Sequence, residues 1–173
     1  MSSLKLIANV IPHKGKLLIG CDNDLVLKLY ADLSHFKKTT TGGVCVMGRY
    51  TYEDMLAMRI GRGTPAKTFV LLPNRDSYVV SSNKDLTVTG GARVADLGAV
   101  MQKYKNTDRE IFVIGGRRMF IEALTYKPVI YMTIIKGSTY DCDVSFPLDF
   151  HDHYTITDGR ETEHCYYVKY ESV

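Results

Sequence analysis

The sequence predicts an α/β fold: a central, mostly parallel twisted sheet with helices on both faces and an antiparallel hairpin at its C-terminal edge. Three observations predict it. Val44-Cys45-Val46-Met47 and Ile111-Phe112-Val113-Ile114 are short apolar runs that stop at glycine and give way to helix-like segments, as strands buried on both faces of a parallel sheet do. Val94 to Tyr104 carries Leu97, Val100 and Met101 at helical spacing just before the second run, which makes a crossover unit. The tail alternates, with Tyr154 and Ile156, then Cys165, Tyr167 and Lys169 opposed to Tyr166, Val168 and Tyr170, as an antiparallel hairpin does.

The bulk numbers narrow the class. At 173 residues the chain is expected to form one domain, 1–173, long enough to bury a core without staples. Hydrophobic residues at 45% and charged residues at 24% are ordinary for a globular protein and exclude disordered and fibrous classes. The net charge of +3 comes from scattered Lys and Arg, which argues against nucleic acid and suits small anionic ligands. Cys21, Cys45, Cys142 and Cys165 lack metal-type spacing and read as free thiols, so no metal is expected. No basic stretch followed by an apolar one opens the chain, and no apolar run approaches the ~18 residues of a membrane span. The expected protein is a cytoplasmic monomer with no membrane partner.

In order, Leu4–Ile11 reads as a buried strand closed by Pro12, with turn residues to Lys16. Leu17, Leu18 and Ile19 run into a polar loop, Gly20 to Asp24, a candidate lid. From Leu29 to Lys38 the apolar residues Leu29, Leu33 and Phe36 recur at helical spacing and set Asp32 at the boundary of the core; the plainer alternative is a solvated or capping Asp. Thr39 to Gly43 connects to the strand Val44–Met47. At the turn beyond it Arg49 and Thr51 offer a guanidinium fork and a hydroxyl to a phosphate, or are simply a surface Arg and a helix cap.

Further on, Ile60 to Lys67 is rich in glycine and basic residues. Phe69–Leu72 reads as a strand, and Pro73 to Ser77 as a loop carrying Arg75, a candidate anion partner. Thr87 to Gly91 ends a short strand candidate. After the central strand, Gly115 and Gly116 let backbone approach a ligand where a helix, 118–124, offers unpaired N–H groups. Two glycines alone can also merely end a strand, and this is not the three-glycine dinucleotide fingerprint. Val129–Ile135 is a strand holding Thr133. There is no internal repeat, low-complexity segment or domain linker.

Over nearly its whole length the chain resembles the dihydrofolate reductase family. The motifs come in the family's order: Ile7-Ala8, Ile19-Gly20 with Asp22-Asn23-Asp24-Leu25, Ala31-Asp32-Leu33-Ser34-His35-Phe36-Lys37 ending at Thr40, Val46 to Glu53, Val113-Ile114-Gly115-Gly116, and Asp143 with Phe146-Pro147. The resemblance implies a single-domain dihydrofolate reductase-like fold and NADPH-dependent reduction of 7,8-dihydrofolate to 5,6,7,8-tetrahydrofolate, in support of one-carbon and thymidylate metabolism. It implies that Asp32 is the catalytic residue, hydrogen-bonding the pterin and supported by Thr133. Ile7, Ala8, Leu25, Leu33, Phe36, Met55, Ile114 and Lys67 would complete the site for dihydrofolate and antifolate-type ligands. NADPH would lie against Ala8, Ile19, Gly20, Gly48, Arg49, Tyr50, Thr51, Leu71 and Arg75 on one side and Ile114, Gly115, Gly116, Arg117, Arg118, Met119 and Phe120 on the other. The Gly115–Gly116 bond resembles the family's cis peptide.

Hydride transfer to an imine carbon needs two rings held at contact distance and a proton delivered to the neighbouring nitrogen, so apolar walls and one carboxylate suffice. Burial would raise the pKa of Asp32, while hydrogen bonds to its ionised form would lower it.

Some positions depart from the family pattern. Val26-Leu27 stands for the usual Pro-Trp, Tyr30 for a Pro, Ala66 or Lys67 for the Arg that grips the glutamate tail, and Arg117 for a third Gly. Preference for NADPH over NADH rests on Arg49 and Arg75. Two alternatives stand beside this reading. One is a same-fold pyrimidine reductase of riboflavin synthesis, which lacks the Asp32-to-Phe36 helix; the other is a folate- or NADPH-binding structural protein with reduced turnover, suggested by the altered 26–30 loop.

Overall fold

The structure, a computed structural model, describes residues 3–21, 24–25, 30–61, 71–136, 144–147 and 152–173, with the backbone alone at 3, 20–21, 24–25, 30–33 and 58–61. The first strands are β1 (Ser3–His13), β2 (Lys16–Cys21) and β3 (Asp24–Leu25), followed by helix α1 (Tyr30–Thr40). Then come β4 (Val44–Gly48), α2 (Arg49–Gly61), β5 (Asp76–Val80), β6 (Ala92–Val94) and α3 (Leu97–Tyr104). The last are β7 (Glu110–Gly115), α4 (Arg117–Leu124), β8 (Val129–Ile135), β9 (Val144–Ser145), β10 (Tyr154–Glu161) and β11 (Cys165–Ser172).

The sheet runs β10-β11-β8-β1-β7-β4-β5-β6. From β8 to β6 every pair is parallel, and β11 and β10 join antiparallel at the edge, as the alternating tail predicts. Alternation along the central strands serves two cores. Val44 and Val46 of β4 and Ile111 and Val113 of β7 pack with Leu97, Val100, Met119 and Phe120 of α3 and α4. Cys45 and Met47 of β4 and Phe112 of β7 pack with Tyr52 and Met55 of α2, and Phe36 of α1 lies against them. Helices therefore cover both faces, and these strands are apolar throughout because neither face meets water.

Several boundaries differ from the sequence reading. β1 continues through Pro12, since beyond Val10 it pairs only with β2 and a residue without an N–H fits such an edge. Lys14 (φ 49°) and Gly15 (φ 78°) then make a two-residue hairpin, and β2 and β3 extend into the expected polar loop, of which Asp22 and Asn23 lie outside the described residues. Phe69 and Val70 also lie outside them. Leu71 and Leu72 form a bend, and the strand is β5, entered through Asn74 at φ 65°. The residues 87–91 are irregular and β6 takes Val94, so α3 starts later than expected, capped by Asp96, whose Oδ1 accepts the Ala99 N–H at 2.8 Å. Cys45 and Cys165 are buried free thiols. No helix among the described residues is long and apolar enough to cross a membrane, and no described His, Cys, Asp and Glu cluster could hold a metal ion.

Candidate active site

A cleft opens where two central strands part. β1 stays paired with β8 as far as Val10↔Ile134, but with β7 only as far as Leu6↔Val113. β7 also gains one residue on β4 between Val46↔Val113 and Met47↔Gly115, which leaves Ile114 as the extra one. Into the gap face Ile7, Ala8 and Asn9 of β1, Ile19 of β2, Phe36 of α1, Thr51 and Met55 of α2, Ile114, Gly115 and Gly116 at the end of β7, and Phe120 of α4. The cleft is lined chiefly by apolar side chains with a few polar groups among them, the lining typical of a small-molecule site.

The two glycine turns read from the sequence meet here. The Gly115–Gly116 peptide is cis and Gly115 has φ +135°, a conformation that favours glycine. A Cβ on Gly48 would lie 3.4 Å from Met119 Cγ and 3.7 Å from the Gly116 nitrogen, so the turn after β4 packs directly on the turn after β7. Thr51, 5% exposed, closes the cradle: its Oγ1 would stand 3.2 Å from a Cβ at Gly115 and 3.7 Å from one at Gly116. Gly116 caps α4 without a side-chain bond, which leaves the first N–H groups of that helix directed toward the cradle.

Most of the expected site residues converge. Ile7, Ala8, Ile19, Phe36, Thr51, Met55, Ile114, Gly115, Gly116 and Phe120 line the cleft, with Gly48 and Met119 directly beneath the turn. Phe120 is held by Phe146 at a ring distance of 5.2 Å. Thr133, 1% exposed, sits in β8 opposite Asn9. Arg49 and Tyr50 are exposed at the start of α2, Tyr50 by 74%, and the Arg49 Nε donates to Glu53 Oε1 at 2.9 Å, which raises the Arg49 pKa. Arg118 is exposed on the first turn of α4. Asp32 stands one turn before Phe36 on α1, with Leu33 next to it, while Leu25 lies on β3 and Gly20 on β2; the side chains of Asp32, Leu33 and Leu25, and Lys67 altogether, lie outside the described residues.

Three residues expected at the cofactor are placed otherwise. Arg75 precedes β5, at the opposite end of the sheet from the glycine turns, and is 8% exposed; its guanidinium donates to Lys37 O at 2.8 Å, Thr40 Oγ1 at 2.7 Å and Thr41 Oγ1 at 3.2 Å. Burial lowers its pKa. Leu71 is fully buried in the core under α2, beyond reach of a ligand in the cleft. Arg117 reaches away from the cradle to β9, donating to Ser145 O at 2.7 Å and Ser145 Oγ at 3.1 Å.

Sequence reasoning missed Asn9, which lines the cleft and was readable as a polar residue inside an apolar strand.

The carboxyl ends of parallel strands with a cleft between them define an open α/β protein whose ligand site lies at the usual place for that architecture. The family model for dihydrofolate reductase matches residues 6–172, and the chain belongs to the dihydrofolate reductase family. It is 34% identical over 142 residues to the dihydrofolate reductase of Bacillus subtilis, covering 82% of this chain and 76% of that one. It is 30% identical over 138 residues to the dihydrofolate reductase of Staphylococcus aureus, covering 80% and 76%. The fold matches the dihydrofolate reductase from Enterococcus faecalis complexed with NADP(H) and RAB-propyl, with a TM-score of 0.78 at 24% identity over 98% of this chain and 96% of that one.

Proposed function

We propose that the chain reduces 7,8-dihydrofolate to 5,6,7,8-tetrahydrofolate with NADPH, as a cytoplasmic monomer, and that antifolate-type ligands compete for the same cleft. One observation carries the reading: in a member of this family, apolar walls from Ile7, Phe36, Met55 and Ile114 adjoin a glycine cradle in a single cleft. The cradle fits a dinucleotide, because Gly48, Gly115 and Gly116 leave backbone bare where side chains would stand. When bound, NADPH supplies the hydride.

The chain supplies the rest. Gly48, Thr51, Gly115, Gly116 and the first turn of α4 would hold the phosphates, with Arg49, Tyr50 and Arg118 at the rim and Ala8, Ile19, Gly20 and Phe120 beside the nicotinamide. Ile7, Leu25, Leu33, Phe36, Met55 and Ile114 would clamp the substrate ring and exclude water. Asp32, supported by Thr133, would hydrogen-bond that ring and assist protonation of the nitrogen beside the reduced carbon. Lys67 would hold the glutamate tail as a point charge.

The test is oxidation of NADPH by the purified chain with dihydrofolate, with NADH and with Asp32→Asn in parallel. Turnover preferring NADPH and falling at least about 100-fold in the variant is expected. No turnover by the parent, or full activity in the variant across pH, would overturn the assignment.

A further inference from the structure

We propose that Asn9 is a specificity-determining residue, whose side-chain carboxamide hydrogen-bonds the polar edge of the substrate ring; this deepens the reductase reading and rests on it. Asn9 occupies the stretch of β1 left unpaired by β7, and it lines the cleft. It shares a sheet face with Ile7, two residues earlier, and that face packs against Phe36 and Ile114. Across the strand pair its Cα partner is Thr133, almost fully buried, so an amide and a hydroxyl stand side by side in an otherwise apolar wall.

Among the described residues the Asn9 side chain has no hydrogen-bond partner. The amide is partly exposed at the cleft, so a ring that covers it must replace its bonds to solvent with a matching donor or acceptor. A flat heterocycle edged with ring nitrogen, amino or oxo groups has the complementary chemistry. The amide offers both a donor and an acceptor and can turn either toward the ring. Its sheet face is the one that packs with Phe36 and Ile114, walls of the proposed substrate pocket, which favours the substrate as its partner.

Two variants of the full chain, Asn9→Ala and Asn9→Leu, test this. Both should raise the KM for dihydrofolate about tenfold and weaken folate binding measured by calorimetry equally, with kcat within about threefold of the parent. NADPH affinity should stay within about twofold, and the melting temperature of Asn9→Leu should equal or exceed the parent's. Parental substrate affinity in Asn9→Ala with a loss only in Asn9→Leu would make the effect one of bulk and overturn the proposal. So would a loss confined to NADPH. A parent that binds no folate would remove the reductase reading, and this inference with it, whereas an active parent with a parental Asn9→Ala removes this inference alone.

Discussion

The Arg75 guanidinium donates to Thr40 Oγ1 at 2.7 Å, and that same hydroxyl donates to Phe36 O at 2.8 Å, so a buried cation closes the last turn of the helix that carries a cleft wall. The last carbonyls of a helix lack intrahelical partners, and a cation there meets the negative end of its dipole. Arg75→Met should therefore cost about 2–3 kcal/mol and lower the melting temperature by roughly 5–10 °C. NADPH affinity should change less than about threefold. A variant of parental stability with a lost preference for NADPH over NADH would return Arg75 to the cofactor.

Gly115 and Gly116 are adjacent glycines with different needs. At Gly115 both φ +135° and the nearby Thr51 hydroxyl oppose a side chain, whereas at Gly116 φ is −90° and the nearest contact of an added Cβ is an ordinary 3.7 Å. Gly115→Ala should lose about 1–3 kcal/mol of stability and nucleotide binding together. Gly116→Ala should melt like the parent but bind NADPH more weakly, because the new methyl projects into the cradle. Calorimetric binding and thermal melting on both variants separate the two, and equal stability losses would contradict the contrast.

The parts of this fold legible in the sequence are those where local signal and burial agree. Val129–Ile135 is a strand as read, since apolar residues fill it apart from Tyr131 and Thr133, both favoured in strands, and the two glycine turns stand out because apolar strands stop abruptly at them. Pro12 and the Pro73-to-Ser77 stretch misled in the same way: each carries loop composition, yet tertiary pairing takes β1 through the proline and starts β5 at Asp76. β9 owes its two residues to pairing with β2, far away in the chain, and no window around Val144 contains that information. Arg75 was opaque for another reason. A buried arginine and a phosphate-binding one are the same letter, and only the position of Thr40 distinguishes them.

His35 is the group on α1 whose protonation the fold opposes. Its ring lies 4.4 Å from that of Tyr167, and burial, then the charges of Arg160 and Lys38, hold its pKa below the ordinary value. With the folded value below the unfolded one, the unfolded chain takes the proton first as pH falls. The stability due to neutral His35 is thus complete above the unfolded value of about 6.5 and is lost as pH drops through it toward the folded value. Between pH 7.5 and 5.5 the melting temperature of the parent should fall more than that of His35→Phe, by roughly 1–3 °C given solvent screening of a half-exposed ring. Equal falls would show that His35 titrates alike in both states.

Arg49 supplies the sharpest test of how the cradle chooses its dinucleotide. Its Nε is engaged by Glu53, one helical turn on, which fixes the plane of the guanidinium while its terminal nitrogens have no partner among the described residues. A fork anchored at one edge and open at the other suits an anion with paired oxygens. If that anion is the phosphate that distinguishes NADPH from NADH, Arg49→Gln should weaken NADPH about tenfold and NADH less than about twofold, and should flatten the salt dependence of NADPH binding. If it is the pyrophosphate common to both, the two affinities fall together. Glu53→Gln adds a second reading of the same geometry: releasing the Nε lets the fork wander, so NADPH should bind more weakly although a negative charge has been removed. Tighter binding in Glu53→Gln would mean that Glu53 competes with the phosphate for Arg49 rather than aiming it.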